Sequence, residues 1–182
     1  AVIGAAFFCP ACGHNAADLM FAHAVTGIRS ALDAIPQVRS AIPDQDTAET
    51  TVRLLIENGL QNAITAFQRY AESLYTRFRS AAPPRRNAFQ NLKEGSDLWF
   101  GVSGKHYAAY LSDADAVSLT RLFQQRHLLA HTQGIIDSDY ATRAGDPTYQ
   151  VGQRLVIREA AVRECLGLIE KLAAGMASDA PT

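Results

Sequence analysis

Residues 47–78 read TAETTVRLLIENGLQNAITAFQRYAESLYTRF. Apolar residues fall at Val52, Leu55/Ile56, Leu60, Ile64, Phe67, Ala71, Leu74 and Phe78, in alternating steps of three and four. That is the period of a helix burying one stripe. The other face carries Arg53, Glu57, Gln61, Gln68, Arg69 and Glu72. The same period recurs on both sides. Residues 16–42 read as helical, with Leu19, Met20, His23, Ile28, Leu32 and Ile35 on the apolar stripe and Pro36 and Pro43 interrupting or ending it. On this reading His23 is a packed side chain, not a ligand.

Downstream, the di-proline Pro83-Pro84 breaks the long helix. Residues 88–99 form a short segment with Phe89, Leu92, Leu98 and Trp99 as core anchors, and residues 101–104 read as a turn. Ser112-Asp-Ala-Asp115 resembles a capping box opening the helix that runs into Arg126. Residues 135–158 read as irregular, with a helical turn or two over 137–144, a turn at 145–147 and an extended stretch over 149–157. Residues 159–176 form a last amphipathic helix with Val162, Leu166, Ile169, Leu172 and Ala173 inward, and residues 178–182 read as a disordered tail. The pattern predicts an all-α protein, an antiparallel bundle of about four to five helices over residues 16–177.

With 182 residues the chain has room for one sizeable core. No apolar run approaches the roughly 20 residues of a membrane span. The opening AVIGAAFF is short and lacks a basic leader, so it reads as neither signal peptide nor anchor. The 3 cysteines make no disulfide framework, which predicts a reducing, cytoplasmic setting. The net charge of −1 argues against an obligate nucleic-acid coat protein. It is unevenly spread: residues 1–68 hold three basic against six acidic side chains, and residues 69–163 hold thirteen against nine. The basic excess is compatible with local RNA binding or with a solvated helix face.

Cys9-Pro-Ala-Cys12-Gly13 reads as one knuckle of a zinc ribbon, in which two thiolates on a tight turn grip one edge of a tetrahedral Zn²⁺. Residues 1–15 are therefore a partial zinc-binding unit, with its second ligand pair expected upstream of Ala1. His14 and His23 have the wrong spacing to complete it, and Cys165 lies on the last helix. The alternatives are an unmetallated turn and a redox CxxC, which lacks a βαβ setting here.

The chemistry-bearing stretch is residues 121–140, RLFQQRHLLAHTQGIIDSDY. His127 and His131, four apart, share a helix face with Arg126 beside it. An imidazole poised near neutral pH beside a guanidinium suits proton transfer near a phosphate. Arg85 and Arg86, directly after the di-proline, read as a phosphate-contacting corner or as a solubilising loop.

The segment resembles the signature of HEPN domains, small all-helical domains in which an Arg is followed by a polar residue, three further residues and a His. Here these are Arg126, His127, Leu128-Leu129-Ala130 and His131, followed by a small-residue break and an Ile-Ile-Asp-x-x-Tyr run. The resemblance covers roughly residues 46–176. It implies a metal-independent endoribonuclease needing no cofactor for catalysis, with Arg126, His131 and His127 at a composite site between two protomers. RNA and a second copy are the implied partners, with an antitoxin-like protein as a further one. The settings it implies are toxin–antitoxin, phage-defence or RNA-processing systems. The alternative is a non-catalytic helical module that binds a nucleotide, RNA or a protein. A third reading, a metal enzyme using His127 and His131 as ligands, lacks the Glu of H-E-x-x-H.

Overall fold

The computed structural model describes residues 16–144 and 146–181. Among them are seven α-helices and no strand: α1 Ala17–Asp33, α2 Ile35–Ala41, α3 Gln45–Tyr75, α4 Leu92–Ser103, α5 Asp113–His131, α6 Ser138–Arg143 and α7 Glu159–Asp179. Two 3₁₀ turns, Ala88–Gln90 and Tyr107–Ala109, flank α4. The all-α expectation holds. The five helices of twelve residues or more form the bundle, and α2 and α6 are short connectors.

The 31-residue α3 is its axis, packing against α1, α2, α5, α7 and the Ala88–Gln90 turn. Asp44 caps it by accepting from the Thr47 N–H at 2.8 Å. The predicted stripe is buried at Val52, Ile56, Leu60, Ile64, Phe67, Ala71 and Leu74. Each large member removed from water contributes about 1.5–3 kcal/mol.

Ion pairs give the register of the other helices. Asp115 meets Lys171 at 2.6 Å and Arg121 meets Glu164 at 3.8 Å, so α5 and α7 run antiparallel. Arg29 pairs with Glu170, and Asp33 with Arg163 at 2.6 Å, so α1 and α7 are also antiparallel. Asp18 meets Arg77, and Phe21 stacks on Tyr70 with ring centroids 4.9 Å apart, which sets α1 antiparallel to α3. Most of these pairs are solvated and fix register more than they stabilise.

Four expectations are corrected. The helix over 16–42 is two, breaking at Ala34 ahead of Pro36, which stands in the first turn of α2 where its missing N–H costs nothing. The buried face of α1 is Val25, Ile28 and Leu32. Leu19 and Met20 lie 49% and 42% exposed and His23 is exposed too, because all three fall more than a quarter turn from the middle of the Val25, Ile28 and Leu32 stripe. Residues 101–103 are helical, not a turn; α4 stops one residue later, at Gly104 with φ 75. The helix α7 extends to Asp179, into the predicted tail, because the Asp179 carboxylate is held by Lys105 and by the Tyr110 hydroxyl.

Residues 149–157, read as extended, meet the chain after α5 in a short antiparallel latch. The Leu155 N–H donates to Gly134 O at 2.8 Å, Ile136 N–H to Gln153 O at 2.9 Å and Gly152 N–H to Ile136 O at 2.9 Å. Among the described residues no helix is long and apolar enough to cross a membrane.

Candidate functional site

The buried positions of α5 include Leu119, Leu122 and Phe123. Arg126 follows them by seven, four and three residues, so helical geometry aims it along the same apolar stripe. It is half-buried as a result. Burial pulls its guanidinium below the ordinary arginine range, and no neighbouring carboxylate opposes this. The group remains charged at physiological pH. Its Nη1 donates to Gln90 Oε1 at 3.0 Å, and its buried Nε has no hydrogen-bond partner. Arg126 forms no ion pair among the described residues.

His127 and His131 are exposed, their ring centroids 4.5 Å apart and their planes tilted by 47°. The His127 imidazole is held below its ordinary pKa, first by burial, then by the positive charge His131, Arg126 and Arg143 place around it. Asp137 opposes these effects without reversing them. The neutral form is favoured, so His127 is available as a proton acceptor.

These groups share a cavity of about 450 Å³ with Arg85, Asn87, Gln90, Lys93 and Arg143. The lining contains no Asp or Glu. Arg85, Lys93 and Arg143 are each tied from outside: Arg85 to Glu94 through two hydrogen bonds, Lys93 to Asp97 at 2.7 Å and Arg143 to Asp139 at 3.6 Å. Among the described residues Arg126 is the lining cation with no carboxylate partner. Two roomier hollows, of about 620 Å³ between α1 and α3 and about 550 Å³ beside α4, contain neither Arg126 nor the imidazole pair.

The chain after Gly134 explains how α5 ends where it does. The Leu128 carbonyl gathers the Thr132 N–H at 2.9 Å, the Thr132 hydroxyl at 3.0 Å and the Gly134 N–H at 3.0 Å. Gln133 (φ 54) and Gly134 (φ 80) both turn left-handed to make this possible. The Ile-Ile-Asp-x-x-Tyr run then anchors α6: Ile136 is buried, Asp137 caps the helix by accepting from the Tyr140 N–H, and Tyr140 is buried under α5. There Gln125 donates to the Tyr140 hydroxyl at 3.3 Å, and that hydroxyl donates to Asp146 at 3.0 Å. Docking α6 in this way carries Arg143 to the cavity.

The structure thus brings together Arg126, His127, His131 and Arg85. Arg86 is exposed and does not line the cavity. Cys9, Cys12 and His14 lie outside the described residues. Cys165 is fully buried on α7, its thiol pushed up to about 12 by burial, which makes it a packing residue and not a thiolate ligand. Among the described residues no group of three or more His, Cys, Asp or Glu is arranged to hold a metal ion.

Sequence reasoning missed Gln90, Asn87, Lys93 and Arg143. Gln90 meets Arg126 across 36 positions, and no local pattern announces such a contact. One signal was available: Arg126 occupies a position on the stripe where periodicity calls for an apolar residue. Comparison of the chain with family models, with curated proteins and with solved structures finds no match.

Proposed function

We propose that this chain is a metal-independent endoribonuclease of the HEPN type, acting as a homodimer that places two copies of α5 along one cleft. The observation that supports it best is the half-buried, uncompensated Arg126 beside a close imidazole pair, in a cavity lined without a carboxylate. A half-buried cation without a carboxylate partner suits a phosphate, whose oxygens match the guanidinium fork.

The reaction needs no redox partner. The ribose 2′-oxygen attacks its own phosphorus while a base takes the 2′-hydroxyl proton. The bond from phosphorus to the 5′-oxygen breaks, and an acid protonates that oxygen. Arg126 faces the charge gathering on the phosphoryl oxygens. The imidazoles of His127 and His131 supply acid and base between the two protomers. Arg85, Lys93 and Arg143 guide neighbouring phosphates electrostatically. An antitoxin-like protein covering this cavity would silence the site, and a zinc ribbon built on Cys9 and Cys12 would be an appended unit.

The test compares the purified chain with His131→Ala on a labelled structured RNA in EDTA. The parent is expected to cut, leaving 2′,3′-cyclic phosphate ends, and the variant to lose at least about 100-fold in rate while keeping the parent's oligomeric state. Equal cutting by both, or by neither, removes the catalytic claim and leaves a helical module that binds nucleotide, RNA or protein.

A further inference from the structure

Every other arginine or lysine lining this cavity is tied to a carboxylate; Arg126 is tied to an amide. The amide belongs to a rigid piece of chain. Gln90 ends the Ala88–Gln90 turn, whose Ala88 and Phe89 are each 1% exposed. Asn87 opens the turn in the left-handed region at φ 63, and its Oδ1 accepts from Nε2 of Gln68, which is buried on α3. The backbone beneath Gln90 is therefore fixed from the core, and Gln90 fixes the guanidinium in turn.

A carboxylate at position 90 would hold Arg126 more strongly, since it adds the attraction of opposite charges and a bidentate fit to the hydrogen bond the guanidinium already donates. It would also cancel the charge. An amide gives direction and leaves the charge intact. Once its oxygen has accepted from Arg126, the amide still has two N–H donors beside the guanidinium.

We infer that Gln90 is a positioning residue that aims Arg126 into the cavity while leaving its whole positive charge for an RNA phosphodiester. The inference rests on the reading of Arg126 as the phosphate-binding group of a ribonuclease. Position 90 thereby separates two properties of the cation, its direction and its net charge, and two substitutions separate them experimentally. Gln90→Glu keeps an acceptor and neutralises Arg126. Gln90→Met keeps the volume and the charge but releases the guanidinium.

The experiment makes three kinds of measurement on the parent and both variants. These are binding of a 2′-O-methyl RNA oligonucleotide, which resists cleavage by its own 2′-oxygen; kcat and KM on the unmodified RNA; and the melting temperature. Gln90→Glu is expected to weaken binding about tenfold or more, with melting unchanged or raised as the new carboxylate pairs with Arg126. Gln90→Met is expected to lower kcat about tenfold with a much smaller change in binding. A merely structural role would instead lower melting in both variants and give no such split, overturning the inference. Parent-like binding by Gln90→Glu also overturns it, while a cutting parent leaves the ribonuclease reading in place. A parent that neither binds nor cuts RNA removes both.

Discussion

The two ends of α5 treat polar groups in opposite ways. Just before its first turn, the Trp99 indole N–H donates to the Tyr110 hydroxyl at 2.9 Å, that hydroxyl donates to Asp179, and Lys105 reaches the same carboxylate at 2.9 Å. The Tyr110 ring meanwhile lies directly on Gly175 of α7. Each of these polar tips has a partner, and the cluster ties α4 and the chain leading into α5 to the end of α7. Towards the other end, Arg126 sits on the core stripe with an amide at one nitrogen and nothing at another. A satisfied network stabilises, and a desolvated cation without a counter-charge does the reverse. The difference separates a place built for holding from a place built for binding.

The comparison breaks first at Arg126. Arg126→Met puts an apolar side chain where the helical period asks for one. RNA cleavage is expected to fall at least about 100-fold, while stability to urea stays level or rises by about 1 kcal/mol. A large loss of stability in that variant would mean that Arg126 belongs to the structural class after all.

Gly175→Ala tests the opposite end. An added Cβ would lie 2.4 Å from the Tyr110 ring and 2.9 Å from its Cβ, so the ring would have to move bodily. Alanine gains about 1 kcal/mol in helix propensity over glycine, and overpacking of this kind costs about 1–3 kcal/mol. A net loss of up to about 2 kcal/mol in urea unfolding is expected, with the Arg126 cavity unaffected in RNA binding. A gain in stability would show that the clamp yields.

The smallest effect is in the pH dependence. The His127 pKa is depressed in the fold, so below the unfolded imidazole value the unfolded chain binds more protons. The contribution of His127 is fully present above that value and is lost as pH falls through the folded one. Melting measured downward from pH about 7.5 should therefore decline more steeply in the parent than in His127→Gln. Identical slopes would remove the crowding of charge around His127 from the account.

Much of the bundle was legible because its signals are local. The stripe of α3, the cap at Ser112 and the inward positions of α7 each depend on neighbours within about one turn. Leu19 and Met20 misled because two apolar residues near a helix start resemble a stripe until the whole period is fitted. Arg126, His127 and His131 were found as a string, yet their setting was not. The cavity is completed by Gln90, Lys93 and Arg143, brought in by a 3₁₀ turn and by α6, whose contacts to α5 cross many residues of chain. The end of α7 was misjudged for the same reason, since Asp179 is held by Lys105 from 74 positions away.

The latch between residues 134–136 and 152–155 gives the two halves of the candidate site different attachments. Arg126 lies within the packed length of α5, so it is displaced only when the whole bundle comes apart. His131 closes the last turn, and the chain just after it, at Gly134 and Ile136, is held by three backbone hydrogen bonds to residues 152–155. Opening such a small ladder requires far less than global unfolding. The cation is thus held by the whole bundle, whereas the chain that follows the imidazole at the helix end is held by a local ladder.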